Sequence, residues 1–358
     1  MPSSISNFDF ERPVPVLPWK GIVLSVVLLT LVAAVAWEVR VRAWGYGPTL
    51  NDTNDLWAQR RRAVQPDSIV IIGDSRPLFD MDLDVLEQGL GQRPVQLSMP
   101  GTCAYPVLAD LAADERFHGT VICSVVPLMF FAPGGPLVEN SEMALKRYHK
   151  GSLAQRSGQV LGALLEERIA FLKSDELDLG SLLAKIRIPN RKDAQLGPLF
   201  PPYFASEDRE RRARMIDACA QPGPLQTRVR DGWLPLFTPP PPPSYVPKEA
   251  FLAGMGKAIE ARFADAAAAV KKIRARGGKV VFVRFPVTGE LKKHEDRMTP
   301  RVGPWNRLLR ESGAPGIYFE DYPELASFSC PEWSHLSAPD SVEFSKRLVP
   351  HLQKALAP

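Results

Sequence analysis

Short apolar runs alternate with amphipathic segments along most of this chain of 358 residues. Runs rich in β-branched residues, such as Ile69–Ile72 and 279–285, predict buried strands. Segments with apolar residues at helical spacing occur between such runs, for example 81–90, 105–113 and 251–276. This alternation predicts an α/β domain with a central parallel sheet and right-handed crossovers.

The alternation is interrupted over residues 132–245. Helical patterns occur there, of which 159–172 is the clearest, but no strand pattern is convincing. We therefore predict a mostly helical insertion of roughly 110 residues, a length typical of lids, substrate walls and partner surfaces. The five prolines at 239–243 predict a stiff polyproline II spacer, with a docking site for a proline-reading partner as the alternative. The charged run 209–214 predicts a solvent-exposed helix face.

An uncharged apolar segment, 21–37, lies near the amino terminus. Its length of about 17 residues is at the short end of what a helix needs to cross a bilayer, which predicts a single-pass transmembrane anchor. Residues 1–20 then form an N-terminal tail, 38–66 a stalk, and 67–358 the α/β domain. A cleaved signal peptide is the alternative, because residues 34–36 (Ala-Val-Ala) fit the small-x-small cleavage pattern. Both interpretations export the domain.

Composition narrows the classes of function. The net charge of +4 is too small to predict nucleic-acid binding, and zinc-finger spacings are absent from the sequence. The 35 prolines are interleaved with apolar residues and predict long ordered loops. The four cysteines form no CxxC pair, so neither a metal site nor a cofactor is predicted. Disulfides and isolated buried thiols remain alternatives for them.

Three short motifs carry the candidate chemistry. A Gly-Asp-Ser sequence ending at Ser75 follows the first predicted strand, where α/β folds place nucleophiles or ligands. Gly101 follows the second predicted strand, and its backbone N–H can point at a substrate oxygen there. Glu332 and His335 lie between the last strand and the last helix. Together these motifs predict a serine nucleophile, its base, and the acid that orients the base.

At these residues the chain resembles the SGNH (GDSL-like) hydrolase superfamily. The matching residues are Gly73, Asp74 and Ser75, then Gly101 within the sequence LSMPGT, and finally Glu332, Trp333, Ser334 and His335. The resemblance covers residues 66–131 and 246–357 and leaves the insertion unmatched. It implies a three-layer sandwich with a central parallel sheet, the flavodoxin-like SGNH fold.

The resemblance also implies a role for each matched residue. Ser75 corresponds to the nucleophile, His335 to the base and Glu332 to the acid. The backbone N–H groups of Ser75 and Gly101 correspond to oxyanion donors. The acid departs from the family pattern, because the family usually has Asp where this chain has the longer Glu332.

The oxyanion hole departs from the family pattern as well. The family's third block supplies an Asn, whereas this chain has the sequence SVVPL at 124–128. Losing one such donor can reduce the rate by about a hundredfold or more. A backbone N–H, Ser124 or Arg284 is the candidate replacement. Arg76 and Arg284 also suit the binding of an anionic substrate, and ion pairing with acidic residues is the alternative.

The membrane segment and the insertion are similar to those of the envelope-modifying branch, which includes proteins of alginate O-acetylation and teichoic acid D-alanylation. The resemblance implies a membrane-anchored serine esterase or O-acyltransferase that acts on acyl esters of a cell-envelope glycan. It further implies the bacterial inner membrane, a domain facing the periplasm or cell exterior, and a membrane-bound O-acyltransferase or glycan synthase as partner. The alternative is a catalytically weak or inactive scaffold that binds such a partner, as the missing Asn suggests.

Overall fold

The computed structural model describes residues 17–173, 177, 183, 203–238 and 245–357. The chain divides into two compact units, Met1–Tyr46 and Gly47–Pro358. The first unit contains the helix α1 (Trp19–Ala43), which extends beyond the predicted span at both ends. Its length and hydropathy are sufficient for crossing a membrane. A signal sequence has the same properties, so α1 is compatible with either interpretation of this segment.

The second unit is built on a parallel sheet of five strands in the order β2-β1-β3-β6-β7. A separate antiparallel pair, β4 and β5, lies in the insertion. The strand bounds are β1 (Ile69–Ile72), β2 (Val95–Gln96), β3 (Thr120–Ser124), β4 (Ala205–Glu207), β5 (Ala213–Met215), β6 (Lys279–Arg284) and β7 (Gly316–Tyr318). The predicted α/β class with a parallel sheet is therefore confirmed.

Helices connect the strands and account for most of the residues that the structure describes. In chain order they are α2 (Asn54–Arg62), α3 (Arg76–Asp80), α4 (Leu83–Leu90), α5 (Tyr105–Ala113), α6 (Pro127–Phe130), α7 (Pro136–Lys150), α8 (Leu153–Glu166), α9 (Asp217–Ala220), α10 (Pro224–Trp233), α11 (Lys248–Ala275), α12 (Gly289–Met298), α13 (Pro304–Ser312), α14 (Pro323–Ala326) and α15 (Ala338–Ala355). Helix α4 packs against α15, and α5 packs against α11.

Part of the predicted stalk is built into the domain. The side chain of Thr53 caps α2 by accepting a hydrogen bond from the Leu56 N–H. Helix α2 buries Leu56 and Trp57, and the Trp57 indole donates to the Leu97 carbonyl over 2.8 Å. The apolar residues of α2, which the sequence assigns to a stalk, therefore supply part of the core.

The insertion contains helices, as predicted, and also the β4–β5 hairpin, which the sequence did not reveal. The charged run 209–214 belongs to this hairpin and its turn, so its prediction as a solvent-exposed helix face is wrong. Arg211 is fully buried with a left-handed φ of 62°, and it donates to Asp52 and to the Ser98 carbonyl. The polyproline run at 239–243 lies outside the described residues.

Strand β1 is the point where the winding of the sheet reverses. Its two neighbours are β2 and β3, so the chain crosses to one side after β1 and to the other side after β2. In open α/β sheets, ligands bind in the crevice outside the carboxyl ends of the strands at such a reversal. A ligand-binding or catalytic site is therefore expected in the loops that follow β1, β2 and β3.

Candidate active site

The turn after β1 presents Ser75 at the start of α3. Gly73 has a φ of 155°, and a Cβ atom there would lie only 2.4 Å from the Ser124 Cβ, so glycine is required. Asp74 holds the turn in place, because its carboxylate accepts from the Arg76 N–H at 2.9 Å and from the Ser124 hydroxyl at 2.8 Å. Asp74 thus links the end of β1 to the end of β3, and Ser75 faces a cavity.

His335 reaches Ser75 from the opposite end of the sequence. Its Nε2 lies 2.7 Å from the Ser75 Oγ. The Glu332 Oε1 lies 2.8 Å from the His335 Nδ1 and accepts the His335 backbone N–H at 2.6 Å. The carboxylate favours the tautomer with the proton on Nδ1, which leaves Nε2 free to accept the serine proton. The structure thus brings the three predicted residues into one hydrogen-bonded chain.

The loop that carries Glu332 and His335 is held in a strained conformation. Trp333 has a left-handed φ of 80°, which is uncommon for a bulky residue. Its indole occupies the space above Gly289, where a Cβ atom would lie 2.3 Å from the ring. The Trp333 carbonyl accepts the Thr288 N–H at 2.9 Å, and the Leu336 N–H donates to Asp80 at 2.8 Å. These contacts position the acid and the base.

The insertion contributes a further contact to the candidate acid. The indole Nε1 of Trp233, at the end of α10, donates to the Glu332 Oε2 over 2.8 Å. On the same helix, Arg230 donates to the Pro331 carbonyl at 2.9 Å and lies over the Trp333 ring. Both oxygens of Glu332 therefore have donors, which fixes the orientation of this fully buried carboxylate. No motif in the sequence marks Trp233 or its contact with Glu332.

Two backbone N–H groups are available for an oxyanion. Those of Ser75 and Gly101 have no acceptor among the residues that the structure describes, and both residues line the cavity. Gly101 has a φ of 60°, which suits glycine in the turn after β2. The Ser124 hydroxyl is committed to Asp74. Ser124 therefore does not replace the missing Asn of the third block with its side chain.

Arg76 and Arg284 form ion pairs with a buried carboxylate and are not exposed to solvent. Glu295 on α12 bonds both guanidinium groups, with an Arg76–Glu295 distance of 2.6 Å. Burial alone raises the pKa of a carboxyl, but the charges of Arg284 and Arg76 overcome this effect and hold the pKa of Glu295 at about 2. Both arginines are nearly inaccessible. This arrangement favours the ion-pairing alternative over the binding of an anionic substrate.

We predict that the Glu295 cluster makes the folded state sensitive to acid. Because its folded pKa of about 2 is below the ordinary 4.5, the stabilisation is present above pH 4.5 and is lost as the pH falls toward 2. The difference corresponds to about 3 kcal/mol of unfolding free energy. Urea unfolding between pH 6 and pH 2 should show this loss in the wild type and a flatter profile in Glu295→Gln.

Glu260→Gln is the matched control for this experiment. Glu260 also pairs with an arginine, Arg307, but at the protein surface, where such pairs contribute little. The control should keep the acid sensitivity of the wild type. An unchanged acid profile in Glu295→Gln would contradict the prediction.

A cavity of about 610 Å³ opens beside Ser75 and His335. The Phe79 ring stacks on the His335 imidazole with centroids 4.2 Å apart. His294 also lines this cavity, and its ring stacks on Phe237 with centroids 4.6 Å apart. Burial lowers the pKa of His294, and so does Arg297. The cysteines, whose pairing the sequence left open, are all buried and unpaired.

No protein-family model matches the chain, and no curated protein matches it.

Proposed function

We propose that this chain is a membrane-anchored serine esterase or O-acyltransferase of the SGNH type, acting on acyl esters of a cell-envelope glycan. The observation that carries the proposal is the chain of hydrogen bonds from Ser75 through His335 to Glu332, with distances of 2.7 and 2.8 Å. A hydroxyl, an imidazole and a buried carboxylate in this order constitute the arrangement that activates serine in acyl transfer. The parallel sheet and its strand order support the SGNH-type fold.

The reaction proceeds through an acyl-serine. The Ser75 Oγ attacks the ester carbonyl carbon while the His335 Nε2 takes the serine proton. The N–H groups of Ser75 and Gly101 stabilise the oxyanion of the tetrahedral intermediate. Collapse of this intermediate breaks the bond to the alcohol, which leaves with the proton from His335. Water or a glycan hydroxyl then attacks the acyl-serine and gives its proton to His335. The bond between the acyl carbon and the Ser75 Oγ breaks, Ser75 takes the proton back from His335, and the acid or the new ester is released.

The proposal also includes a membrane location and a partner. The apolar helix α1 supports anchoring to a membrane. We place this anchor in a bacterial inner membrane with the domain facing outward, and we assign a membrane-bound O-acyltransferase or glycan synthase as partner. These assignments rest on the resemblance to envelope-modifying proteins.

Covalent labelling tests the proposal directly. The full chain in detergent micelles is treated with a fluorophosphonate, which reacts with activated serines, and the adduct is located by mass spectrometry. We expect an adduct on Ser75 when the folded protein is treated, and none when the protein is unfolded in urea before the treatment. Folded protein without any adduct on Ser75 would contradict the enzyme and favour the non-catalytic scaffold.

A further inference from the structure

The cavity beside Ser75 has mostly apolar walls, which come from distant parts of the chain. Phe79 follows Ser75 on α3, Leu128 and Met129 follow β3, and Phe204 and Leu236 belong to the insertion. The cavity volume of about 610 Å³ is within the range of roughly 300–1,000 Å³ that accommodates drug-sized ligands. An acetyl group has only a methyl group beyond its carbonyl and would leave most of these walls uncovered.

Two leucines of this wall are exposed to solvent. Leu128 is 36% exposed and Leu236 is 43% exposed. Both line the same cavity as Ser75 and His335. Exposed apolar surface at a concave site marks the binding of an apolar group, because covering it removes that surface from water.

We infer that the cavity binds an apolar acyl chain longer than acetyl, an inference that rests on the proposed serine chemistry. In that chemistry the acyl group is bound at the site in both steps, first within the ester and then on Ser75, whereas the first alcohol leaves and a second acceptor enters. The acyl chain is therefore the part that stays against the wall. A glycan alcohol is polar and gains little from contact with leucine and phenylalanine side chains.

Two ester series separate the acyl side from the alcohol side. In the first, p-nitrophenyl acetate, butyrate and hexanoate share one leaving group, and kcat/KM of the full chain in detergent is measured for each. We expect at least a tenfold rise from acetate to hexanoate, since each buried methylene contributes up to roughly fourfold. In the second, ethyl, butyl and hexyl acetate share one acyl group, and we expect little change. A preference for acetate, or a rise confined to the alcohol series, would overturn the inference.

Glutamine substitutions test whether the proposed wall makes the contact. Leu128→Gln and Leu236→Gln place an amide in the wall at exposed positions, where folding should tolerate it. Each should lower the ratio of hexanoate to acetate kcat/KM by about threefold or more. The control is Leu153→Gln, the same change at a residue that is 78% exposed on α8 and should leave the ratio unchanged. An unchanged ratio in both wall variants would place the acyl chain elsewhere and overturn the inference.

Fluorophosphonate labelling of the same preparation separates this inference from the proposed function. If Ser75 is labelled but acetate is the best ester, the chain-length inference fails and the proposed serine chemistry stands. If Ser75 is not labelled and the protein hydrolyses none of the esters, both the chain-length inference and the proposed serine chemistry fail.

Discussion

Replacing Ser75 by alanine is expected to reduce ester hydrolysis by about 10⁴-fold or more. The change removes the atom that attacks the carbonyl, and the His335 Nε2, 2.7 Å from that atom, loses its proton donor. The oxyanion N–H groups and the cavity remain, so weak binding of the ester should persist. Hydrolysis of p-nitrophenyl butyrate by the wild type and the variant provides the measurement.

Ser98→Ala is the matched control for the loss of a buried hydroxyl. Ser98 is fully buried after β2, and its Oγ has no hydrogen-bond partner within the described part of the chain. Its removal should leave hydrolysis within about twofold of the wild type and cost little stability. Equal activity in the wild type, Ser75→Ala and Ser98→Ala would mean that another group carries the hydrolysis, and the proposed nucleophile would be wrong.

The strands that position Ser75 are predictable because each one is a short apolar run. Ile69–Ile72 and Lys279–Arg284 are buried in the sheet, and buried parallel strands consist of such continuous runs. Strand β2 has only two residues, although apolar residues continue beyond it at Leu97 and Met99. The motifs at Ser75 and His335 were recognisable because each directly adjoins a predicted element.

The contacts that hold the site could not be read from the sequence. Trp233 and Glu332 are 99 positions apart, and Arg76 and Glu295 are 219 positions apart. Nothing local to either residue marks its partner, because the pairing depends on how the insertion and α12 pack onto the sheet. The burial of Arg211 could not be predicted for the same reason, because its charge is neutralised by Asp52, a residue 159 positions away.

Substitution of Glu332, the candidate acid, is the most direct test of the hydrogen bonds that join Glu332, His335 and Ser75. Glu332→Gln removes the negative charge that supports a protonated His335 during the reaction. In serine proteases the corresponding loss of charge reduces kcat by about 10⁴-fold, and we expect an effect of that order here. Glu332→Asp keeps the charge on a shorter arm, so it should retain more activity than Glu332→Gln.

The hydrogen bonds of Glu332 predict an additional, unusual result. A carboxylate accepts on both oxygens, whereas a glutamine amide accepts on one side and donates on the other. If the amide oxygen faces His335, the amide NH₂ faces the Trp233 indole N–H, and two donors meet in a buried site. Such a mismatch costs about 1–3 kcal/mol. Trp233→Phe removes the indole donor, so it should restore part of the stability that Glu332→Gln loses.

A double-mutant cycle of Glu332→Gln and Trp233→Phe measures this coupling through the free energy of unfolding. Trp57→Phe is the control, because it removes another indole donor at 2.8 Å, from the Leu97 carbonyl and away from the site. Trp233→Phe alone should lower kcat, since Glu332 loses one donor. Trp57→Phe should lower stability and leave kcat unchanged. Additive free energies in the cycle, together with an unchanged kcat in Trp233→Phe, would show that the insertion does not position Glu332.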